Sequence, residues 1–126
     1  MKNDENEVLI TQLWDLFSAQ KWQESKDLFH EEFRADWPPS RERFVGADAF
    51  VDMNCVYPGN HQIQVMQLMS SGDRVVSAVS VTADTGQRAF ATSFFQIKDR
   101  KIWKLIEFWG APYEAPEWRK PYSQRY

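Results

Sequence analysis

Residues 87–110 read QRAFATSFFQIKDRKIWKLIEFWG, two runs at 87–98 and 101–110 on either side of Asp99-Arg100. Thr, Phe, Ile and Trp fill both runs, the residue types that pack on a pleated surface, and the gap is the length of a two-residue hairpin turn. The stretch therefore predicts an antiparallel hairpin in which Lys98 faces Lys101. Counting back sets Phe94 opposite Leu105, Thr92 opposite Glu107 and Phe90 opposite Trp109, all on one face. Reading Thr85-Gly86 as a second two-residue turn brings Ser77, Val79 and Val81 onto the same face, opposite Phe94, Thr92 and Phe90. The reverse face then carries Ala91, Phe95, Ile97, Ile102, Ile106 and Phe108.

Upstream of the hairpin, runs at 61–70 and 74–83 flank Ser71-Gly72-Asp73 and extend the meander to four antiparallel strands. Before residue 61 the period changes. Ile10, Leu13, Trp14 and Phe17 recur at helical spacing and predict a helix over 5–20, followed by a shorter one from Trp22 to Phe29. The proline pair in FRADWPPSRERF, 33–44, blocks helix and favours an extended turn, with a short extra strand at Phe33 to Trp37. Gly46 opens a third helix with Phe50, Met53, Asn54 and Tyr57 on one face, and Pro58-Gly59 ends it. The fold class is α+β: a curled antiparallel sheet on three N-terminal helices, in one domain over 1–126. Residues 111–126, APYEAPEWRKPYSQRY, form an extended tail rich in Pro and aromatic residues. Three helices cover one sheet face. The other, also apolar, points to a homodimer through the outer sheet face.

Composition narrows the function classes. The chain has 126 residues, 43% apolar and 15% aromatic, with six Trp and nine Phe. That is more ring area than collapse alone requires, so some rings are expected to line a cavity or an interface. Net charge is −3 and the 15 basic residues form no run, which excludes the electrostatic footprint of a nucleic-acid binder. No apolar stretch approaches the ~18 residues of a membrane span, and the acidic MKNDENEVLI start is unlike a signal peptide. A cytoplasmic location without membrane association is expected, and the lone Cys55 fits a reducing compartment. His30, His61 and Cys55 lie in no metal-ligand spacing, so neither metal nor cofactor is expected.

The order helix, helix, short strand, helix, long meander, with ADWPPSRERFVG early and SFFQIKDRKIWKLIEFWG late, resembles the nuclear transport factor 2-like superfamily. That superfamily includes ketosteroid isomerases, scytalone dehydratase and SnoaL-like polyketide cyclases. The resemblance covers nearly the whole chain. It implies a cone whose concave sheet face and third helix line a pocket, usually in a homodimer. In the ketosteroid isomerases a general-base Asp directly precedes a Pro ahead of the third helix, and this chain has Trp37 there. The position of their oxyanion-stabilising acid corresponds to Thr92, while Trp109 matches a pocket aromatic. Neither acid is matched, and isomerisation by that route loses its base, because Trp cannot abstract a proton.

Glu107 is the candidate catalytic residue. A carboxyl between Leu105 and Trp109 on the pocket face would lose water and have its pKa raised, which suits an acid or base. The competing reading is a structural ion pair with Arg34, Arg43 or Arg88. Trp14, Trp37, Asn54, Tyr57, Phe90, Thr92, Phe94 and Trp109 are the candidate ligand-binding residues. Asn54 would bring an amide into an apolar stripe, though it could equally tie its helix to a loop. If Trp37 faces inward, Asp36 faces out. His61 begins a strand with no partner visible in the sequence, and no nucleophile motif or phosphate loop is present. The chain is therefore expected to hold a pocket for a small apolar molecule. Two functions compete: a cofactor-independent cyclase, isomerase or dehydratase of a small carbonyl compound, and a non-catalytic ligand-binding or dimerisation module.

Overall fold

A computed structural model describes residues 2–126, with side chains from Glu5 onward. Helix α1 (Lys2–Ser18) is followed by the short α2 (Trp22–Ser25), which tightens into a 3-10 turn over Lys26–Leu28. Strands β1 (Phe29–Trp37) and β2 (Glu42–Val45) bracket a 3-10 turn at Pro38–Ser40. Helix α3 (Ala47–Val56) then leads into the long strands β3 (His61–Ser71), β4 (Arg74–Ala83), β5 (Arg88–Lys98) and β6 (Lys101–Gly110). Together the six strands form one curled, unclosed sheet in the order β2-β1-β6-β5-β4-β3. All neighbours are antiparallel except β1 and β6, which run parallel.

The helical stripe of α1 is realised: Ile10, Leu13, Trp14 and Phe17 are all buried against the inner sheet face. Trp14 meets Phe17 and Phe95 edge-on at centroid distances of 6.0 and 6.2 Å, a geometry that contributes beyond area burial. Phe50 and Val51 anchor α3 in the same core, with Phe50 ring to ring against Phe33 and Phe44.

Two expectations need correction around β1. The second helix stops well short of Phe29, because the chain turns into β1 there. The extra strand is also longer than Phe33 to Trp37, and it gains a partner, β2, after the prolines. The sheet thus has six strands, with β1 docked beside β6 to give a parallel pair inside a meander. The tail likewise departs from a fully extended run, since Glu117–Tyr122 form a 3-10 turn.

The register of β5 is the more consequential correction. The Asp99-Arg100 turn is as read: both residues have positive φ, 53° and 62°, and Lys98 pairs with Lys101. Beyond it, however, Ile97 pairs with Ile102 but Gln96 pairs with Lys104, leaving Trp103 as the extra residue of a β-bulge. The ammonium groups of Lys98 and Lys104 each lie over its ring, 4.6 and 4.2 Å from the centroid. At the other end of β5 the turn holds three residues, Asp84, Thr85 and Gly86. The Ala83 N–H donates to Gln87 O at 2.8 Å, and Gly86 takes a φ of +91° that side chains disfavour.

Each irregularity shifts the ladder by one residue, and a one-residue shift exchanges faces. Ser93 therefore stands opposite Glu107 and Ser77, Ala91 opposite Trp109 and Val79, and Phe95 opposite Leu105 and Val75. Phe90, Thr92 and Phe94, read as inner residues, lie on the outer face with Ile106 and Phe108. Ala91, Phe95, Ile97 and Ile102, read as outer residues, are buried inside.

Candidate ligand pocket around Glu107

Strand alternation aims Glu107 inward between Leu105 and Trp109, and leaves it 1% exposed. Three donors reach its carboxylate from three strands. Trp37, at the end of β1, donates its Nε1–H to Oε1 at 3.1 Å, and Trp109 on β6 donates to the same oxygen at 2.8 Å. Ser93 on β5 donates its hydroxyl to Oε2 at 2.6 Å. The parallel pairing of β1 makes the first contact possible: Asp36 sits beside Ile106, which brings Trp37 level with Glu107. Phe44 then holds the Trp37 ring edge-on at 4.9 Å, with Trp109 at 6.3 Å.

All three donors are neutral. Among the described residues no cation pairs with Glu107; Arg43, one of the partners considered, is engaged by Asp36 at 2.7 and 3.0 Å on the outer side. That pairing holds the Asp36 carboxyl below its usual range. Glu107 is displaced the other way. Burial raises its pKa, and the hydrogen bonds from Ser93, Trp109 and Trp37 only partly oppose the rise. Because an indole N–H can only donate, Oε1 stays an acceptor in either charge state. The proton of the acid form therefore belongs on Oε2, beside the one partner, a hydroxyl, that can reverse its role.

Above Glu107 lies a cavity of about 770 Å³, within the range of small-molecule sites. Trp14 and Phe17 of α1, Trp22 of α2, and Phe50, Met53 and Asn54 of α3 form its helical wall. Ile63, Val81 and Ala89 form the sheet wall, and Tyr57, His61, Gln87 and Pro112 line the cavity at the end of the sheet where β3 and β5 begin.

Of the residues read from the sequence, Trp14, Trp37, Asn54, Tyr57, Glu107 and Trp109 all border this one cavity. Trp14 is fixed by its Nε1–H, which donates to the buried Ser77 Oγ at 3.1 Å. Asn54 ties back to its own helix, its Nδ2 donating to Phe50 O at 2.9 Å. Tyr57 is exposed and lies ring to ring with His61 at 4.9 Å. Phe90, Thr92 and Phe94 do not border the cavity: Arg88 covers Phe90 on the outer face, and Phe94 packs edge-on against Phe108 at 6.2 Å. Ser93 escaped the sequence reading, as did Phe17 and Trp22 as wall residues. The usable signal for Ser93 was a small hydroxyl one position from Thr92. Among the described residues no group of three His, Cys, Asp or Glu side chains is placed to hold a metal. Nor, among the described residues, is any helix long and apolar enough to cross a membrane.

A curled, unclosed sheet backed by N-terminal helices, here with a buried acid beneath a cavity, is the α+β architecture of the nuclear transport factor 2-like fold. The chain belongs to the SnoaL-like domain family, whose model matches residues 10–105. A candidate ketosteroid isomerase from Kribbella flavida is similar in structure, with a TM-score of 0.88 and 25% identity, over 100% of this chain and 93% of that one. A nuclear transport factor 2-like protein of unknown function from Burkholderia xenovorans gives a TM-score of 0.85 at 20% identity, over 100% and 98% of the two chains. A candidate SnoaL-like polyketide cyclase from Jannaschia gives 0.74 at 17% identity, over 86% and 87%. No curated protein matches the chain.

Proposed function

We propose that the cavity takes a small, largely apolar molecule and that Glu107 is the acid or base acting on its polar group, a carbonyl or the enol derived from it. The observation that supports this most is a fully buried carboxyl, held by three neutral donors and no cation, beneath an aromatic-walled cavity. An ion pair serving stability would carry its counter-charge with it. A lone acid with a raised pKa can instead keep its proton above the ordinary carboxylate range, donate it to a carbonyl oxygen and recover one from an adjacent carbon. This chemistry needs no cofactor, and it is the class to which the isomerase and cyclase names of the similar structures belong.

The test is Glu107→Gln, in which the amide oxygen still accepts from both indoles and the amide N–H donates to Ser93. The fold is expected to persist, and turnover of whichever small ketones the wild type converts is expected to vanish. A wild type that binds aromatic ketones and converts none would make the protein a binding module. Retained turnover in the variant would remove Glu107 from the chemistry.

We propose further that the outer sheet face, where Phe90, Phe94, Ile106 and Phe108 are each about two-fifths exposed, joins two copies of the chain. A free, exposed Cys55 supports a cytoplasmic setting, where thiols stay reduced.

A further inference from the structure

Residues 111–126 leave the end of β6, where Gly110 pairs with Phe90. They are shaped by their own contacts: Arg125 to Glu114 at 2.6 Å, Lys120 to Glu117 at 2.7 Å, and the Ser123 hydroxyl to Arg119 O. Among the described residues, the hydrogen bonds and ion pairs of these side chains all stay within the arm. Yet Tyr113, Trp118 and Tyr122 are between 72% and 88% exposed. A segment that orders itself while presenting three aromatic rings to water is built to meet another surface.

We infer that this arm docks on a second copy of the chain, embracing the partner's outer sheet face from the border of the dimer. The inference rests on the outer-face dimer proposed above. Area argues for it. Met69, Phe90, Phe94, Ile106 and Phe108, exposed between 39% and 60%, offer roughly 450 Å² of apolar surface at ~200 Å² per side chain. A stable interface takes about 800 Å² from each partner. Little over half of such an interface is apolar, so the sheet patch alone only just reaches the threshold, and the three arm rings add roughly 500 Å² of apolar surface to it. Continuity points to the same place. Phe108 lies two residues before Gly110, and Phe90 directly across from it, so the arm starts at the rim of the patch. In a two-fold dimer across these faces, each arm leaves beside the other subunit. Two similar structures, those from Kribbella flavida and Burkholderia xenovorans, cover the whole of this chain, arm included.

Sedimentation equilibrium of the full chain, of Ile106→Lys and of the double variant Trp118→Ala/Tyr122→Ala tests both levels. A wild-type dimer, a monomeric Ile106→Lys and at least a tenfold weaker dimer in the double variant are expected. Amide exchange of 113–122 should be slow in the dimer and fast in monomeric Ile106→Lys. A wild type that is monomeric at micromolar concentration overturns the dimer and the arm together. A wild-type dimer whose Kd the double variant leaves unchanged overturns the arm alone, as does protection of 113–122 that persists in the monomer.

Discussion

Ser93 Oγ lies 2.6 Å from Glu107 Oε2, directly across the β5–β6 ladder, and both residues are buried. This contact separates the two carboxyl oxygens: Oε1 is committed to two indole donors and Oε2 is left to carry the proton. Ser93 favours the anion, so removing its hydroxyl raises the Glu107 pKa further. In Ser93→Ala the carboxyl titration, followed by carbon NMR, should move to higher pH. Ser93→Thr, which keeps a hydroxyl, should restore most of the wild-type midpoint. A midpoint unmoved by Ser93→Ala would show that the hydroxyl does not tune this acid.

The raised pKa also gives stability a pH dependence of definite sign. Between the ordinary value of 4.5 and the folded value, the folded chain holds a proton that the unfolded chain has lost. Stability therefore falls as pH rises above about 4.5 and levels off once the folded carboxyl has ionised. The contribution is complete below the unfolded pKa. Urea unfolding at a series of pH values, for wild type and Glu107→Gln, should show this decline in the wild type and its loss in the variant. Parallel curves for the two proteins would contradict it.

Replacing Glu107 by Leu is a different perturbation from replacing it by Gln. Leu leaves the Trp37 and Trp109 N–H groups and the Ser93 hydroxyl without their acceptor, at about 1–3 kcal/mol for a donor left buried and unpaired, as Ser93 is, and less for Trp109, which is 39% exposed. Glu107→Leu should thus lose several kcal/mol in chemical denaturation, while Glu107→Gln stays within about 1 kcal/mol of wild type near pH 5. Equal losses in both variants would mean that the amide does not take over the carboxyl's partners.

Register itself can be tested by adjacent substitutions. Thr92→Val changes an outer-face residue and should shift stability by no more than about 0.5 kcal/mol. Ser93→Val removes the hydroxyl from Glu107 and forces a larger side chain into a packed core, and should cost about 1–3 kcal/mol. Thermal melts of the pair decide the matter; the reverse ranking would return Thr92 to the inside.

The helices, the long strands and Glu107 were legible because each depends on local periodicity: a helical stripe over Ile10 to Phe17, and period two around Leu105, Glu107 and Trp109. The inner residues of β5 were not. Their identity depends on counting residues through two turns, and Trp103 and the three-residue Asp84–Gly86 loop each add one to the count. Phe90 and Phe94 are as apolar as Ala91 and Phe95, so composition could not reveal the slip. Ser93 was lost with it. The parallel docking of β1 on β6, which delivers the Trp37 indole to Glu107, is a non-local pairing that no short-range pattern encodes.

The role of Glu107 as a proton-holding acid within reach of a ligand in the cavity is tested most directly by its titration. Carbon NMR on protein labelled at Glu carboxyls would follow Glu107, identified by its loss in Glu107→Gln, with and without acetophenone as a small aromatic ketone. The predicted midpoint lies above 4.5 in the free protein and rises further with the ketone, whose carbonyl accepts a hydrogen bond only from the acid form. A midpoint at or below 4.5 that acetophenone leaves unchanged would contradict the account.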